Sequence, residues 1–222
     1  MNAWLEGIMV FLVLTNLAFL ASSRLSACIR IVAVQGVVMG FVPLLTGNGQ
    51  FGPAGFLFAG LTMVLKGLVF PWLLLRALRV AGVRREVEVF VSYPVSVLAG
   101  ILILLGAFAL SSRLPAPRPE VSPLLVSVAL ATMFSGLFII VSRVKAITQV
   151  LGYLVLENGI GAFGAALLLE EPLLVNLGIL LDVFVAVFVM GIAIFHISRE
   201  FDHMDTHELT SLSDWSEKEE GT

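Results

Sequence analysis

Three charged side chains, Lys66, Glu157 and Asp182, each fall near the middle of a long hydrophobic run. A charge at the centre of a membrane helix costs about 2.5–3.5 kcal/mol on insertion scales. Three such charges left alone would cost roughly 8–10 kcal/mol. Residues of this kind face a bundle interior or a water-filled cavity, and two carboxyls with an ammonium have the chemistry of a proton relay. Burial disfavours the charged form of a carboxyl and a nearby ammonium favours it. Set against each other, the two effects can hold a site near neutrality, where it both loads and releases protons. A charge pair that only fastens helices together is the competing explanation. Gln35, mid-way along another apolar run, can bridge water or bond across helices. His196, at the end of the last run, is either an interfacial residue or a further relay group.

These residues have to be positioned by a membrane-embedded scaffold. Apolar residues make up 59% of the 222 and charged residues 13%, with a mean hydropathy of +1.02. A soluble domain is about 45–50% apolar and about 25% charged. Hydrophobic runs at 3–21, 27–46, 55–75, 93–111, 121–141, 146–169 and 173–196 are separated by breakers. These are Gly47-Asn48-Gly49 before Pro53, then Pro115, Pro117 and Pro119, then Glu170-Glu171-Pro172. Each run approaches the roughly 20 apolar residues that one crossing needs. Backbone groups in lipid must be satisfied internally, so the runs are helices; a barrel would need a period-2 alternation that the sequence lacks. The expected fold class is therefore all-α, a polytopic membrane helix bundle of about seven transmembrane helices. The bundle occupies 1–196, and an acidic cytoplasmic tail follows at 197–222. Met1 to Glu6 include no Lys or Arg, so the first run is expected to stay as a helix rather than be cleaved as a signal.

Positive charge sets the expected orientation. With the N-terminus outside, the inner segments hold Arg24, Arg30, Arg76, Arg79, Arg84, Arg85, Arg143, Lys145, Arg199 and Lys218, and the outer loops only Arg113 and Arg118. That distribution follows the positive-inside rule, and adding or removing one helix destroys it. At about 1.5 Å per residue, Glu157 lies about 18 Å above Lys145, Lys66 about 15 Å above Arg76 and Asp182 about 21 Å above His196. All three charges are thus expected near the middle of a hydrocarbon core about 30 Å thick. The last two runs are joined by a short turn, so they are expected to be antiparallel neighbours whose carboxyls share a cavity.

Other patterns carry less. Cys28 is the only cysteine, which excludes an intramolecular disulfide and a Cys-based metal cluster. Gly159, Gly161 and Gly164 spell GxGxxG but lie within a membrane helix, where close packing is expected in place of a nucleotide site. Gly36 and Gly40 read as a packing face. His203 and His207 have helical metal-ligand spacing without a further ligand. No GxSxG, HExxH or P-loop occurs, so no catalytic residue, cofactor or metal is expected on this chain. No basic face invites nucleic acid.

The run Gln149-Val-Leu-Gly-Tyr-Leu-Val-Leu-Glu157-Asn-Gly, with Leu177-Gly-Ile-Leu-Leu-Asp182, Ala193-Ile-Phe-His196-Ile-Ser-Arg199-Glu-Phe-Asp202 and Lys66-Gly-Leu-Val-Phe-Pro71-Trp72, resembles the hydrogenase-4 component E family. That resemblance implies a multi-pass subunit in a prokaryotic cytoplasmic membrane, part of a formate hydrogenlyase-type or other group 4 nickel–iron hydrogenase. Its implied partners are antiporter-like membrane subunits and a peripheral hydrogenase arm, which would carry the nickel–iron centre and iron–sulfur clusters. The implied role is to couple electron transfer to movement of protons or sodium through Glu157, Asp182, Lys66, Gln35 and His196. The last three runs, 121–196, are also similar to the three-helix K subunit (chain 4L) of respiratory complex I, which has one intramembrane carboxylate on its second helix and one on its third. Asp182 falls at the third-helix position. Leu154 occupies the usual second-helix position, and Glu157, about one turn along the same face, is the displaced equivalent. The first three runs read as a divergent copy with Gln35 and Lys66 in the polar slots. Two alternatives stand beside this: a small subunit of a multisubunit cation/proton antiporter, and a structural scaffold or assembly subunit of a respiratory membrane complex.

Overall fold

The computed structural model describes residues 3–46, 60–80, 90–114 and 123–167, and its regular elements are all helices. Helix α1 is Ala3–Ala21 and α2 is Leu25–Thr46. The next helix enters the description at residue 60, widens into a π-helical turn at Leu65–Val69 and continues as α3, Phe70–Val80. Then come α4, Tyr93–Ser111, α5, Pro123–Ser142, and α6, Ala146–Leu167. Pro94 in the first turn of α4 and Pro123 at the start of α5 sit where a missing N–H is harmless. Among the described residues, four stretches are long and apolar enough to cross a membrane: Trp4–Ala21, Leu25–Val42, Tyr93–Ser111 and Leu124–Ser142. Helix α6 is as long as α2, 22 residues, and carries Gln149, Glu157 and Asn158 within it.

Helices α1 and α4 coincide with the expected runs, α2 starts two residues before its run at Leu25, α5 continues one residue past its run to Ser142, and α6 follows its run over the described residues. The third helix runs past residue 75 to Val80 and takes in Arg76 and Arg79. Arginine is a good helix former, and the Arg76 guanidinium lies 5.4 Å from the centroid of the Trp72 ring. The expected seventh helix at 173–196 and the tail at 197–222 lie outside the described residues.

Two apolar clusters build the bundle. The first joins Phe19 and Leu20 of α1 to Cys28, Ile29 and Val32 of α2, Phe70, Leu74 and Leu78 of α3, Ile139 of α5 and the stretch of α6 from Ile147 to Val155. The second joins Met9 and Leu12, Met39 and Val42, Ala107 of α4, the N-terminal half of α5, and Ala162 of α6. Helices α1, α2, α5 and α6 each pass from one cluster to the other, so α1 and α2 run in opposite directions, as do α5 and α6. Helices α2 and α6 run parallel, since their N-terminal halves share the first cluster and their C-terminal halves the second.

Helices α5 and α6 approach most closely, through glycine. A Cβ on Gly136 would stand 2.7 Å from Leu156 Cα and 2.8 Å from the Gly152 carbonyl oxygen, and one on Gly159 would stand 2.6 Å from the Met133 nitrogen. Small residues let membrane helices approach in this way. Among the described residues, only Gly159 of the GxGxxG pattern is held so tightly; Gly161 faces the Met39 side chain, and a Cβ on Gly164 would meet nothing within 4 Å.

Arg143, in the link between α5 and α6, is not a solvated loop charge. It is 1% exposed, its Nη2 donates to the Leu20 carbonyl at 3.1 Å, and its guanidinium lies 5.5 Å from the Tyr93 ring centroid. The last carbonyls of α1 have no partner within their own helix, and a cation there also complements the helix dipole. Burial pulls the Arg143 pKa below the usual arginine value, opposed by Cys28 and Tyr93; a guanidinium stays charged even so.

The α5–α6 contact gives the first prediction. Gly136→Val should lower the stability of the detergent-solubilised chain by about 1–3 kcal/mol, the usual range for overpacking. Gly106→Ala, whose added Cβ meets nothing within 4 Å, should leave the thermal transition unchanged.

Candidate functional site

A layer of buried polar side chains separates the two apolar clusters. Asn16 comes from α1, Gln35 from α2, Thr132 and Ser135 from α5, and Glu157 and Asn158 from α6. Lys66 reaches the layer from the π turn. Its Nζ lies 3.0 Å from Glu157 Oε1, with side-chain exposures of 12% and 5%. Two local features deliver that ammonium. Pro71 has no N–H to return to the preceding turn and its ring crowds that turn; the helix accommodates it with the wider turn, in which Phe70 N–H donates five residues back to the Leu65 carbonyl. Gly36 lacks the Cβ that would otherwise stand 2.6 Å from Lys66 Cβ, so the lysine stem lies directly on α2.

Beside the ion pair runs a file of amides and hydroxyls. Gln35 Nε2 donates to Thr15 Oγ1 at 2.8 Å and to Asn16 Oδ1 at 2.9 Å. Asn16 Nδ2 donates to Thr132 Oγ1 at 2.9 Å. Both threonines direct their own hydrogens to the backbone, Thr15 to Phe11 and Thr132 to Val128, each at 2.8 Å. A threonine has one hydrogen to give, so both hydroxyls must accept from the amides. The file therefore has a single direction, from Gln35 outward to α1 and α5.

The uncharacterized protein Rv0085 of Mycobacterium tuberculosis is 34% identical over 204 residues, covering 91% of this chain and 93% of its own. The chain belongs to the family of Rv0085. Hydrogenase-4 component E of Escherichia coli K12 is 33% identical to this Rv0085-family chain over 129 residues, and so is its counterpart in Shigella flexneri. These alignments cover 57% of the chain and 58% of the relative, so the chain spans little more than half the length of those proteins. No model of a known protein family matches the sequence, and no solved structure matches it.

In this member of the Rv0085 family, two of the residues singled out from sequence, Lys66 and Glu157, meet directly. Gln35 occupies the same layer but is bonded to α1. Asp182 and His196 lie outside the described residues. Sequence reasoning missed Asn16, Thr132 and Asn158, although the two asparagines interrupt apolar runs as Gln35 does. Among the described residues no cluster of His, Cys, Asp and Glu could hold a metal ion. Among the described residues the layer consists of one ion pair beside a file of amides and hydroxyls, with no nucleophile poised against a base.

The ion pair gives the second prediction. Lys66→Met alone should destabilise the chain by about 3–5 kcal/mol, because it strands a buried carboxylate. Combining Lys66→Met with Glu157→Leu should recover most of that loss, as apolar replacements of buried pairs do. Thermal unfolding of the two variants in one detergent checks the ordering.

Proposed function

We propose that this chain is a non-catalytic membrane subunit of a group 4 nickel–iron hydrogenase of the formate hydrogenlyase type, in which the Lys66–Glu157 pair carries protons across the middle of the bilayer. The observation that carries this reading is the 3.0 Å ion pair buried between two apolar clusters. Ionisable groups at such a depth are functional by default, since a charge there is expensive to keep. The partial likeness to hydrogenase-4 component E supports the choice of complex. The nickel–iron centre and iron–sulfur clusters would belong to a peripheral arm, and antiporter-like subunits would be the membrane neighbours.

In this proposal the chain crosses a prokaryotic cytoplasmic membrane seven times, with the N-terminus outside and the C-terminal segment in the cytoplasm. The described cations support that orientation. Arg24, Arg76, Arg79, Arg143 and Lys145 lie at the end of the bundle marked by the first cluster, and Arg113 follows α4 at the opposite end.

The chemistry then alternates between two states. With Glu157 ionised, the pair is neutral overall and closed. A proton arriving at Glu157 removes the attraction that holds the ammonium, and its departure restores the pair. Asp182 would be the next carboxyl along the path, with His196 at the inner end. Gln35 orients polar groups beside the pair and does not itself need to change protonation.

Glu157→Gln in the assembled complex should abolish proton (or sodium) movement into membrane vesicles. Hydrogen evolution by the peripheral arm with an artificial electron donor should persist. Unchanged ion movement in that variant would refute the proposed role. Metal analysis of the complex purified through this chain should find nickel; a complex without nickel would instead favour a multisubunit cation/proton antiporter.

A further inference from the structure

Two carbonyl oxygens in the polar layer have no hydrogen-bond donor among the described residues. Gln35 Oε1 and Asn158 Oδ1 are both fully buried, on residues 0% and 2% exposed. Buried acceptors left in that state are costly, and native proteins satisfy them with protein or with ordered water. Gln35 cannot solve the problem by turning its amide over. Its Nε2 is held by two acceptors, Thr15 Oγ1 and Asn16 Oδ1, and both are fixed as acceptors because their hydrogens or amide nitrogen serve Phe11 and Thr132. The Gln35 carbonyl oxygen is thus locked as an open acceptor.

Asn158 stands opposite. On α2, Val32 lies one turn before Gln35 and Met39 one turn after it. On α6, Leu154 and Val155 lie one turn before Asn158, and Gly161 and Ala162 one turn after it. Val32 shares the first cluster with Leu154 and Val155, and Met39 shares the second with Ala162. Met39 Cε lies 3.8 Å from where a Cβ on Gly161 would be. Two parallel helices in that register set Gln35 and Asn158 at one level across their contact.

We propose that Gln35 and Asn158 hold one water molecule between α2 and α6, with one of its hydrogens donated to each carbonyl oxygen. Water fits because it supplies two donors to two acceptors and brings no charge. A sodium ion would also suit two carbonyl oxygens, but it needs several more oxygen ligands than these two acceptors supply, whereas two acceptors match the two hydrogens of one water. Thr15, Asn16 and Thr132 act as positioning residues, since they fix the Gln35 amide. The water itself requires nothing of the proposed function. Its further role, as the mobile group that exchanges a proton with Glu157, rests on that function.

Radiolytic hydroxyl-radical footprinting of the full chain in lipid nanodiscs tests the site, because a bound water generates radicals where bulk solvent does not reach. Met39, buried one turn from both amides, reports on the site; Met9, buried within the second apolar cluster, is the dry control. In the wild-type chain Met39 should be oxidised several-fold faster than Met9. Gln35→Leu and Asn158→Leu should each bring Met39 down to the Met9 rate. The comparison within the wild-type chain depends on no variant folding, and equal rates there overturn the proposal. So do Leu variants that keep the fast Met39 rate, and so does a slow Met39 rate, which a direct Gln35–Asn158 contact would give. A sodium-specific rise in the wild-type Tm that Asn158→Leu removes would put a cation there and overturn the water. Fast, variant-sensitive Met39 oxidation alongside undiminished ion movement in Glu157→Gln would uphold the water and remove the transport role.

Discussion

The contact between the Lys66 ammonium and the Glu157 carboxylate constrains everything around it. In hydrocarbon neither charge is tolerable alone, so the helices bearing them must touch at one depth and in one rotation. The helix before α3 satisfies the rotation with its π turn, and α2 satisfies the approach with Gly36. The apolar clusters then follow: each is the part of the bundle on one side of the plane that the charges define. The amide file from Gln35 to Thr132 extends that plane to α1 and α5, so four helices and the π turn share one polar layer while meeting elsewhere mainly through aliphatic side chains.

Much of this was legible in the sequence, for a simple reason. Lys66 and Glu157 contrast so strongly with their surroundings that no average over neighbours conceals them, and the helix bounds of α1 and α4 follow from abrupt changes in polarity at their ends. The end of α3 was not legible, because a basic residue reads as the close of an apolar run even where the helix continues under it. Asn16, Thr132 and Asn158 were passed over because amides and hydroxyls only dilute hydropathy. Their importance comes from a contact such as Asn16 with Thr132, which joins positions far apart in the chain and leaves no local period. Arg143 is legible as a link residue, but its burial is a tertiary fact: it depends on the end of α1 and on Tyr93 lying beside it.

The two helical hairpins show how such a layer is assembled from similar pieces. In each, a helix of 19 or 20 residues is joined by a short link to one of 22, α1 to α2 and α5 to α6. Because the second helices are parallel, Gln35 and Glu157 come to the same level although one is neutral and the other charged. The likeness to Rv0085 extends over nearly the whole chain, whereas the likeness to hydrogenase-4 component E covers a little over half.

The order in which the pair's members leave the ribosome matters as well. Lys66 is synthesised long before Glu157, on a helix whose neutralising partner does not yet exist. Until α6 is made, the ammonium lacks the carboxylate that it meets at 3.0 Å in the folded bundle. That contact of the polar layer closes only when the α5–α6 hairpin docks. The α5–α6 hairpin acts in this sense as a latch on biogenesis, because a chain interrupted before it keeps the ammonium without this counter-charge.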